Sequence, residues 1–229
     1  MTERARPSLD ELARALAEPM RLRILRELMG GTALPAGALA ARIGVAPSTA
    51  SAHISRLAET GLVEIETVGR AREVRLADPT VADTVEGILR LSGEDSVSSL
   101  SAHDRRTALR RARRCYDHLA GDLAIALVDR AFSEEWIADR DGVWSLTVEA
   151  ATVGDVLGVP ITLAPSSRPM VRPCLDWTER RPHIAGKIGA AVLSGMLEAG
   201  WLRRRRDDRA LTVTPLGRDR FSALGIDAA

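Results

Sequence analysis

Cysteine is all but missing from this 229-residue chain: Cys115 and Cys174 are the only two. Two thiols are too few for a disulfide framework, and they are expected to stay reduced in a cytoplasmic setting. Long apolar runs are missing too. No stretch approaches 18 consecutive apolar residues, and the opening MTERARPSLDE has no apolar signal core, which argues for a cytoplasmic protein with no membrane partner. A charge excess of either sign is also lacking. The formal net charge is +1, so local placement must carry any argument about nucleic acid. Lysine is nearly absent, Lys187 being the one lysine among 32 basic residues, a bias to which we attach no chemistry. What is present is ordinary for a globular protein. With 45% hydrophobic and 28% charged residues, the chain is long enough for two small domains with proper cores.

The most informative stretch is LPAGALAARIGVAPSTASAHISRLAETGL, residues 34–62. Leu39, Ala40 and Ile43 share one helical face, and Gly44 follows as a residue free to take the left-handed conformation that ends a helix. Pro47 then suits the first position of a second helix, where a missing N–H costs nothing. That helix turns Ala50, Ile54, Leu57 and Ala58 to one side and Ser48, Thr49, Ser51, Ala52, Ser55 and Arg56 to the other. No acid occurs between Glu27 and Glu59. A helix meant only for water mixes charges of both signs. One meant for the major groove carries short polar side chains and avoids carboxylates near phosphate. The pattern predicts a helix-turn-helix, against the plainer reading of an Ala-rich helix pair in some other bundle.

On the N-terminal side, residues 8–17 predict a helix with Ser8 as N-cap, Glu11 three residues on, and an apolar stripe of Leu9, Leu12, Ala13 and Leu16. Glu18-Pro19 opens another, with Leu22, Leu25 and Leu28 as core positions and Gly30-Gly31 at its end. On the C-terminal side, LVEIETV (62–68) and REVRL (72–76) alternate with period two around Gly69-Arg70-Ala71, a β-hairpin signal. A hairpin directly after a recognition helix is a wing. Its Arg70 and Arg72 reach a neighbouring phosphate or the minor groove, or else simply face water. Residues 80–92 predict a helix with Val81, Val85, Ile88 and Leu89 inward, and GEDSVSSLSAH (93–103) reads as a linker.

LAEPMRLRILREL followed by LAARIGVAPSTASAHISRLAETGLVEIETVGRAREVRL resembles the ArsR/SmtB group of bacterial winged-helix repressors, over roughly residues 9–78. The resemblance implies a homodimer paired through the flanking helices 8–17 and 80–92 and bound to double-stranded DNA at a palindromic operator. Carried over by position, it turns Ser48, Thr49, Ser51, His53 and Arg56 toward DNA, with Arg70 and Arg72 in the wing. His53 lies beside the apolar face, where it also suits a role bracing the helix. Metal-sensing members of the group carry a Cys-x-Cys near the first helix of the motif or an Asp/His set on the last dimer helix. The matching stretches here, 34–43 and 80–92, hold neither Cys nor His, so the group's usual metal sites are missing from this domain.

Residues 104–132 read as a long helical pattern opening on Arg105, Arg106, Arg110, Arg111, Arg113 and Arg114. Such a cationic face is more in keeping with water or an acidic partner surface than with phosphate. This half also carries an internal duplication. HLAGDLAIAL at 118–127 matches HIAGKIGAAV at 183–192, a shift of 65 that also takes Trp136 to Trp201 and Leu146-Thr147-Val148 to Leu211-Thr212-Val213. Each copy reads as helix, Trp-led strand, charged turn, strand and short helix, the second half of a winged helix. The expected fold is therefore mainly α with small β-hairpins, an α+β architecture. It comprises a winged helix-turn-helix domain at 8–92, the linker, and a regulatory region at 104–229 made of two degenerate winged-helix-like repeats, about 104–159 and 175–229. Glu134, Glu135, Asp139 and Asp141 crowd the turn of the first copy and repel phosphate, which favours regulation or dimerisation over a second DNA contact.

The polar residues of this half that stand out are Cys115, Tyr116, His118, Cys174, Asp176, Trp177 and His183, and the two cysteines and two histidines among them offer metal-coordinating sulfur and nitrogen. Cys115-x-x-His118 places a sulfur and a nitrogen three residues apart on one helical face, and Cys174 and His183 complete a four-ligand set if the two copies lie side by side. Other readings stand beside a metal ion: thiol oxidation sensing, a histidine pair kept in both copies for helix packing, and an organic effector. For the last of these the proline-rich connection 159–173 would flank a cleft. A Cys115 nucleophile with His118 as base lacks an orienting third group and an oxyanion site, so no enzyme is expected. The favoured function is a sequence-specific DNA-binding transcriptional regulator, a repressor acting as a homodimer, whose affinity is set by a signal sensed in the C-terminal half, a metal ion or small-molecule effector being candidates. A winged-helix module that binds a partner protein without specific DNA contact is the alternative.

Overall fold

The computed structural model of the chain describes residues 7–69, 71–91, 100–205 and 208–228. The backbone falls into two compact units, Met1–Ile88 and Leu89–Ala229. In the first, α1 (Leu9–Leu16) starts on a capping box. Ser8 Oγ accepts from the Glu11 amide at 3.2 Å, while the Glu11 carboxylate accepts from the Ser8 amide at 2.8 Å. α1 buries only Ala15. Its leucine stripe stays at the surface, with Leu9 82% exposed and Leu12 and Leu16 half-buried.

α2 (Pro19–Leu28) has proline at its first position and buries Ile24, Leu25 and Leu28. A two-residue strand, β1 (Leu34–Pro35), leads into α3 (Ala36–Ile43), which stops where Gly44 turns left-handed at φ 72°. α4 (Pro47–Glu59) follows, and α2, α3 and α4 pack on one another, with Leu39, Ala50, Ile54 and Leu57 in the core. β2 (Val63–Val68) and β3 (Ala71–Leu76) pair antiparallel from Val63↔Leu76 to Val68↔Ala71. β1 joins the other edge of β3, giving the order β1-β3-β2. Two helices in helix-turn-helix order followed by a hairpin make a winged helix-turn-helix. α5 (Pro79–Leu91) buries Val81, Ala82 and Val85, whereas Ile88 and Leu89, expected inward, are half-buried and Leu91 is exposed.

The second unit opens with α6 (Leu100–Arg111), a tight hairpin of β4 (Arg113–Cys115) and β5 (His118–Ala120), and α7 (Asp122–Ser133). A hairpin of β6 (Ile137–Arg140) and β7 (Val143–Leu146) and then α8 (Ala150–Leu157) complete the series. After the connection, hairpin, helix, hairpin and helix come again. These are β8 (Arg172–Leu175) with β9 (Pro182–Ala185), α9 (Gly186–Glu198), β10 (Leu202–Arg204) with β11 (Leu211–Val213), and α10 (Pro215–Ala223). α7 packs on β9 and α9 on β5, so each long helix lies on the other series' first hairpin, and β5 lies beside β9. One apolar cluster runs through both series, from Leu123, Leu127 and Trp136 to Ile188, Met196 and Trp201. Edge-to-face pairs brace it, Phe132 on Trp144 and Trp201 on Phe221, with centroids 5.1 and 5.2 Å apart.

Several expectations for this half are corrected. Residues 104–132 are not one helix. α6 ends at Arg111, and the chain reverses through β4 and β5 by placing Tyr116 in the left-handed region (φ 59°) before α7 begins. Cys115 and His118 therefore sit on a hairpin rather than on one helical face, and each series starts with a hairpin rather than a helix. The second begins at Arg172, ahead of the boundary near 175. Arg113 and Arg114 belong to β4, not to a solvated helix face, and Arg113 is fully buried. The linker 93–103 gives up its last four residues to α6, and residues 93–99 lie outside the described residues.

Candidate nucleic-acid interface and Cys-His cluster

α4 presents Ser48, Thr49, Ala52 and Arg56 to solvent, with Ser51, His53 and Ser55 half-buried beside them, while Ala50, Ile54 and Leu57 point into the core. The small polar face is thus the outer one. Ala46, at the N-cap, supplies no side-chain cap, which leaves the first-turn amides available to an anion. The wing reaches back to this helix: Arg72, exposed on β3, donates from Nη1 to Ser51 Oγ at 3.3 Å. Arg56 pairs with Glu59 at 2.8 Å on the exposed side, a contact worth little in water and readily exchanged for phosphate. Arg70 lies outside the described residues.

The second unit gathers Cys115, His118, Cys174 and His183. Two of the four face each other across the β4–β5 ladder (Cys115↔His118) and two across the β8–β9 ladder (Cys174↔His183). All four are buried, and their donor atoms lie within 4.8 Å of one another. Neither cysteine is in a disulfide among the described residues. His118 Nε2 and His183 Nε2 are 3.1 Å apart. The opposite nitrogen of each ring meets a carboxylate of its own hairpin, His118 Nδ1 with Asp117 Oδ1 at 3.1 Å and His183 Nδ1 with Asp176 Oδ2 at 3.0 Å.

Both carboxylates are anchored. Asp117 is ion-paired with Arg168. Asp176, fully buried, accepts from Arg113 Nη2 at 2.7 Å, from the Gly121 amide at 2.8 Å and from the Thr178 amide at 2.9 Å. Arg113 also donates to Thr178 Oγ1 at 3.0 Å and holds its guanidinium 5.2 Å from the centre of the Trp177 ring. Sequence reasoning grouped the two cysteines and two histidines but passed over Asp117, Asp176 in this role, and Arg113. A signal was available. Arg-x-Cys-x-Asp occurs at 113–117 and again at 172–176, a shift of 59, while His-x-Ala-Gly recurs at the shift of 65. The difference is a six-residue insertion between Asp176 and His183.

Burial opposes ionisation of Asp176, but His183 and Arg113 outweigh it and hold the carboxyl far below the usual range. Asp117 behaves alike: against burial, His118 and Arg168 bring it down to about 2. Burial also disfavours an imidazolium at His183, yet Asp176 and Cys115 carry its pKa up to about 9. His118 moves up against burial through Cys115 and Asp117. Two Nε2 atoms 3.1 Å apart hold one proton between them, not two. The upward shift therefore belongs to the first protonation of the pair.

Asp117 and Arg168 also line a cleft of about 310 Å³ between the 162–168 segment and α9, with Arg114, Lys187, Ser194 and Arg204 around them. Burial, and after it the neighbouring Arg204, lower the pKa of Arg114 to about 10.

The fold of the first unit and the outward polar face of α4 define a class: a winged helix-turn-helix transcriptional regulator that binds DNA. Comparison with known proteins places the chain more closely. A helix-turn-helix domain family matches residues 16–66. The uncharacterised HTH-type transcriptional regulator YdfF of Bacillus subtilis is 36% identical over 216 residues, covering 94% of this chain and 96% of its own length. The HTH-type transcriptional regulator CmtR of Mycobacterium tuberculosis is 44% identical over 75 residues, 33% of this chain and 63% of its own. Among solved structures, the homodimeric winged helix-turn-helix domain of a possible ArsR-family regulator from Mycobacterium bovis is 34% identical. It covers 36% of this chain and 79% of its own, with a TM-score of 0.34. The chain belongs to the HTH-type transcriptional regulators that include YdfF, with an N-terminal domain of the ArsR/SmtB type, a family of regulators rather than enzymes. Among the described residues no helix is long and apolar enough to cross a membrane.

Proposed function

We propose that the protein is a homodimeric repressor of transcription that binds a palindromic operator and whose DNA affinity is set by a signal received in the C-terminal unit. The observation that carries this reading is the small, polar outer face of α4, free of acid until its last residue Glu59, with Arg72 of the wing anchored to Ser51 beside it. In this reading Ser48, Thr49, Ser51 and Arg56 meet base edges and phosphates in the major groove, and His53 lies at the edge of that contact. Arg72 and Arg70 take phosphates flanking the groove.

The exposed leucines of α1 and α5 support a dimer through these helices, since Leu9 is 82% and Leu91 is 91% exposed. Apolar side chains left in water on two flanking helices suit a self-complementary surface on a second copy. A two-fold dimer then presents its α4 helices to half-sites about 34 Å apart, one turn of the double helix. In the C-terminal unit, the cationic cleft of Arg114, Arg168, Lys187 and Arg204 suits an anionic small molecule as effector. A few kcal/mol of preference between two dimer geometries changes operator occupancy strongly.

The test is fluorescence anisotropy and footprinting of the full chain on DNA upstream of its own coding sequence. The expected result is a salt-dependent, sequence-specific complex with a two-fold symmetric footprint. Ser51→Glu sets a carboxylate against both phosphate and Arg72, and should weaken specific binding by roughly a hundredfold with an unchanged circular dichroism spectrum. A variant that still footprints would refute the outward role of this face.

A further inference from the structure

We propose that Cys115, His118, Cys174 and His183 are the four ligands of a closed, tetrahedral Zn²⁺ site that ties the two hairpins of the C-terminal unit together. The site is independent of the DNA-binding reading and lies outside the winged domain.

The donor set is the first argument. Two thiolates and two imidazole nitrogens are the combination that zinc takes in closed structural sites. All four donors here are buried and converge within 4.8 Å. Geometry is the second. Two nitrogens bound tetrahedrally at zinc-ligand lengths stand about 3.3 Å apart, and the Nε2 atoms of His118 and His183 stand at 3.1 Å.

The outer partners give the third. Asp117 and Asp176 each occupy the Nδ1 side of the histidine in their own hairpin, which fixes the proton on Nδ1 and turns the Nε2 lone pair inward. Two inward lone pairs in a dry interior need a shared proton or a metal cation between them, and a metal ion also draws in the two thiols beside them. A histidine pair retained only for packing accounts for neither the cysteines nor the carboxylates.

Charge balance is the fourth. Zn²⁺ with two thiolates is neutral, and each carboxylate has its own arginine, Arg168 for Asp117 and Arg113 for Asp176. The assembly then buries no net charge, which is the condition under which ions are tolerated inside a protein. The sequence supplies the fifth. Cys-x-Asp recurs at one shift and His at another, so each hairpin keeps both ligands and the supporting carboxylate although six residues are inserted between Asp176 and His183.

The experiment uses the full-length chain, prepared without a metal-affinity step. Elemental analysis of the protein as isolated should give one zinc per chain. After chelation and thiol reduction, titration with Co²⁺ should give one equivalent of tetrahedral ligand-field absorption in the red together with thiolate charge transfer in the near ultraviolet, displaced by one equivalent of Zn²⁺. The double variant Cys115→Ser with Cys174→Ser should lose the charge-transfer band. Asp117→Asn, which keeps all four ligands, should retain the cobalt spectrum with affinity lowered by about 10–100-fold. A reduced wild-type chain with native circular dichroism but no saturable cobalt absorption would overturn the proposal. So would a band that survives in the double serine variant. A Cys115–Cys174 disulfide that forms in air and reverts on reduction, with no metal uptake, would overturn it in favour of a thiol switch.

Discussion

Arg113 and Asp176 form an ion pair with both side chains fully removed from water, Nη2 to Oδ1 at 2.7 Å. One lies on β4 and the other directly follows β8, so the pair locks the first hairpin of one series to that of the other. Arg113→Leu would leave the Asp176 carboxylate buried beside His183 without its countercharge. Removing one partner of such a pair costs about 3–5 kcal/mol. The four tryptophans, Trp136, Trp144, Trp177 and Trp201, all belong to the C-terminal unit, so denaturant unfolding followed by tryptophan fluorescence reads this loss directly. A loss under about 1 kcal/mol would mean that the carboxylate finds a new partner or water.

Arg72 contacts Ser51 in the free protein but is exposed, and in the proposed complex it serves as a phosphate ligand. Arg72→Ala should weaken binding about tenfold on operator and non-operator DNA alike, and should reduce the slope of log affinity against log salt by about one. Titrations at several salt concentrations measure both. A change of sequence preference with an unchanged slope would place Arg72 on a base edge instead.

On α1, Leu9 is exposed and Leu12 half-buried. Leu9→Glu with Leu12→Glu should convert the proposed dimer to monomer in sedimentation velocity without loss of helical circular dichroism, because neither side chain belongs to the buried core. A dimer that persists would shift the interface away from α1.

Gly121 opens α7 at φ 90°, and a Cβ there would fall 2.3 Å from the carbonyl oxygen of Arg110. Gly121→Ala should cost about 2–4 kcal/mol through strain and overpacking together. It should also disturb the amide that Gly121 donates to Asp176. The same fluorescence-monitored unfolding measures it, and an unchanged midpoint would show that the backbone relaxes around the methyl group.

The first unit was readable in the sequence because its signals are local. Ser8 with Glu11, Pro47 at a helix start and Gly44 at a helix stop each act within one turn of chain, and the wing carries unbroken period-two alternation. β1 was not readable, since Leu34 and Pro35 become a strand only by lying against Val74 and Glu73, some 40 residues away. In the second unit the β4–β5 hairpin hid between two real helices. Its strands are three residues each, too short for alternation to stand out, and its tip uses Tyr116 at positive φ where glycine or asparagine would have marked a turn. The cysteines and histidines could be grouped because His118 and His183 share the 65-residue shift. That Asp117 and Asp176 partner these histidines escaped notice because the insertion puts the two carboxylates on a different shift.

Each hairpin turns one sulfur and one nitrogen inward, half of the set. A shorter polypeptide holding a single hairpin-helix series would find the missing half only on another molecule, at a strength that falls with dilution. Joining both series on one backbone makes the encounter intramolecular, so the cluster stays assembled at whatever copy number the cell maintains.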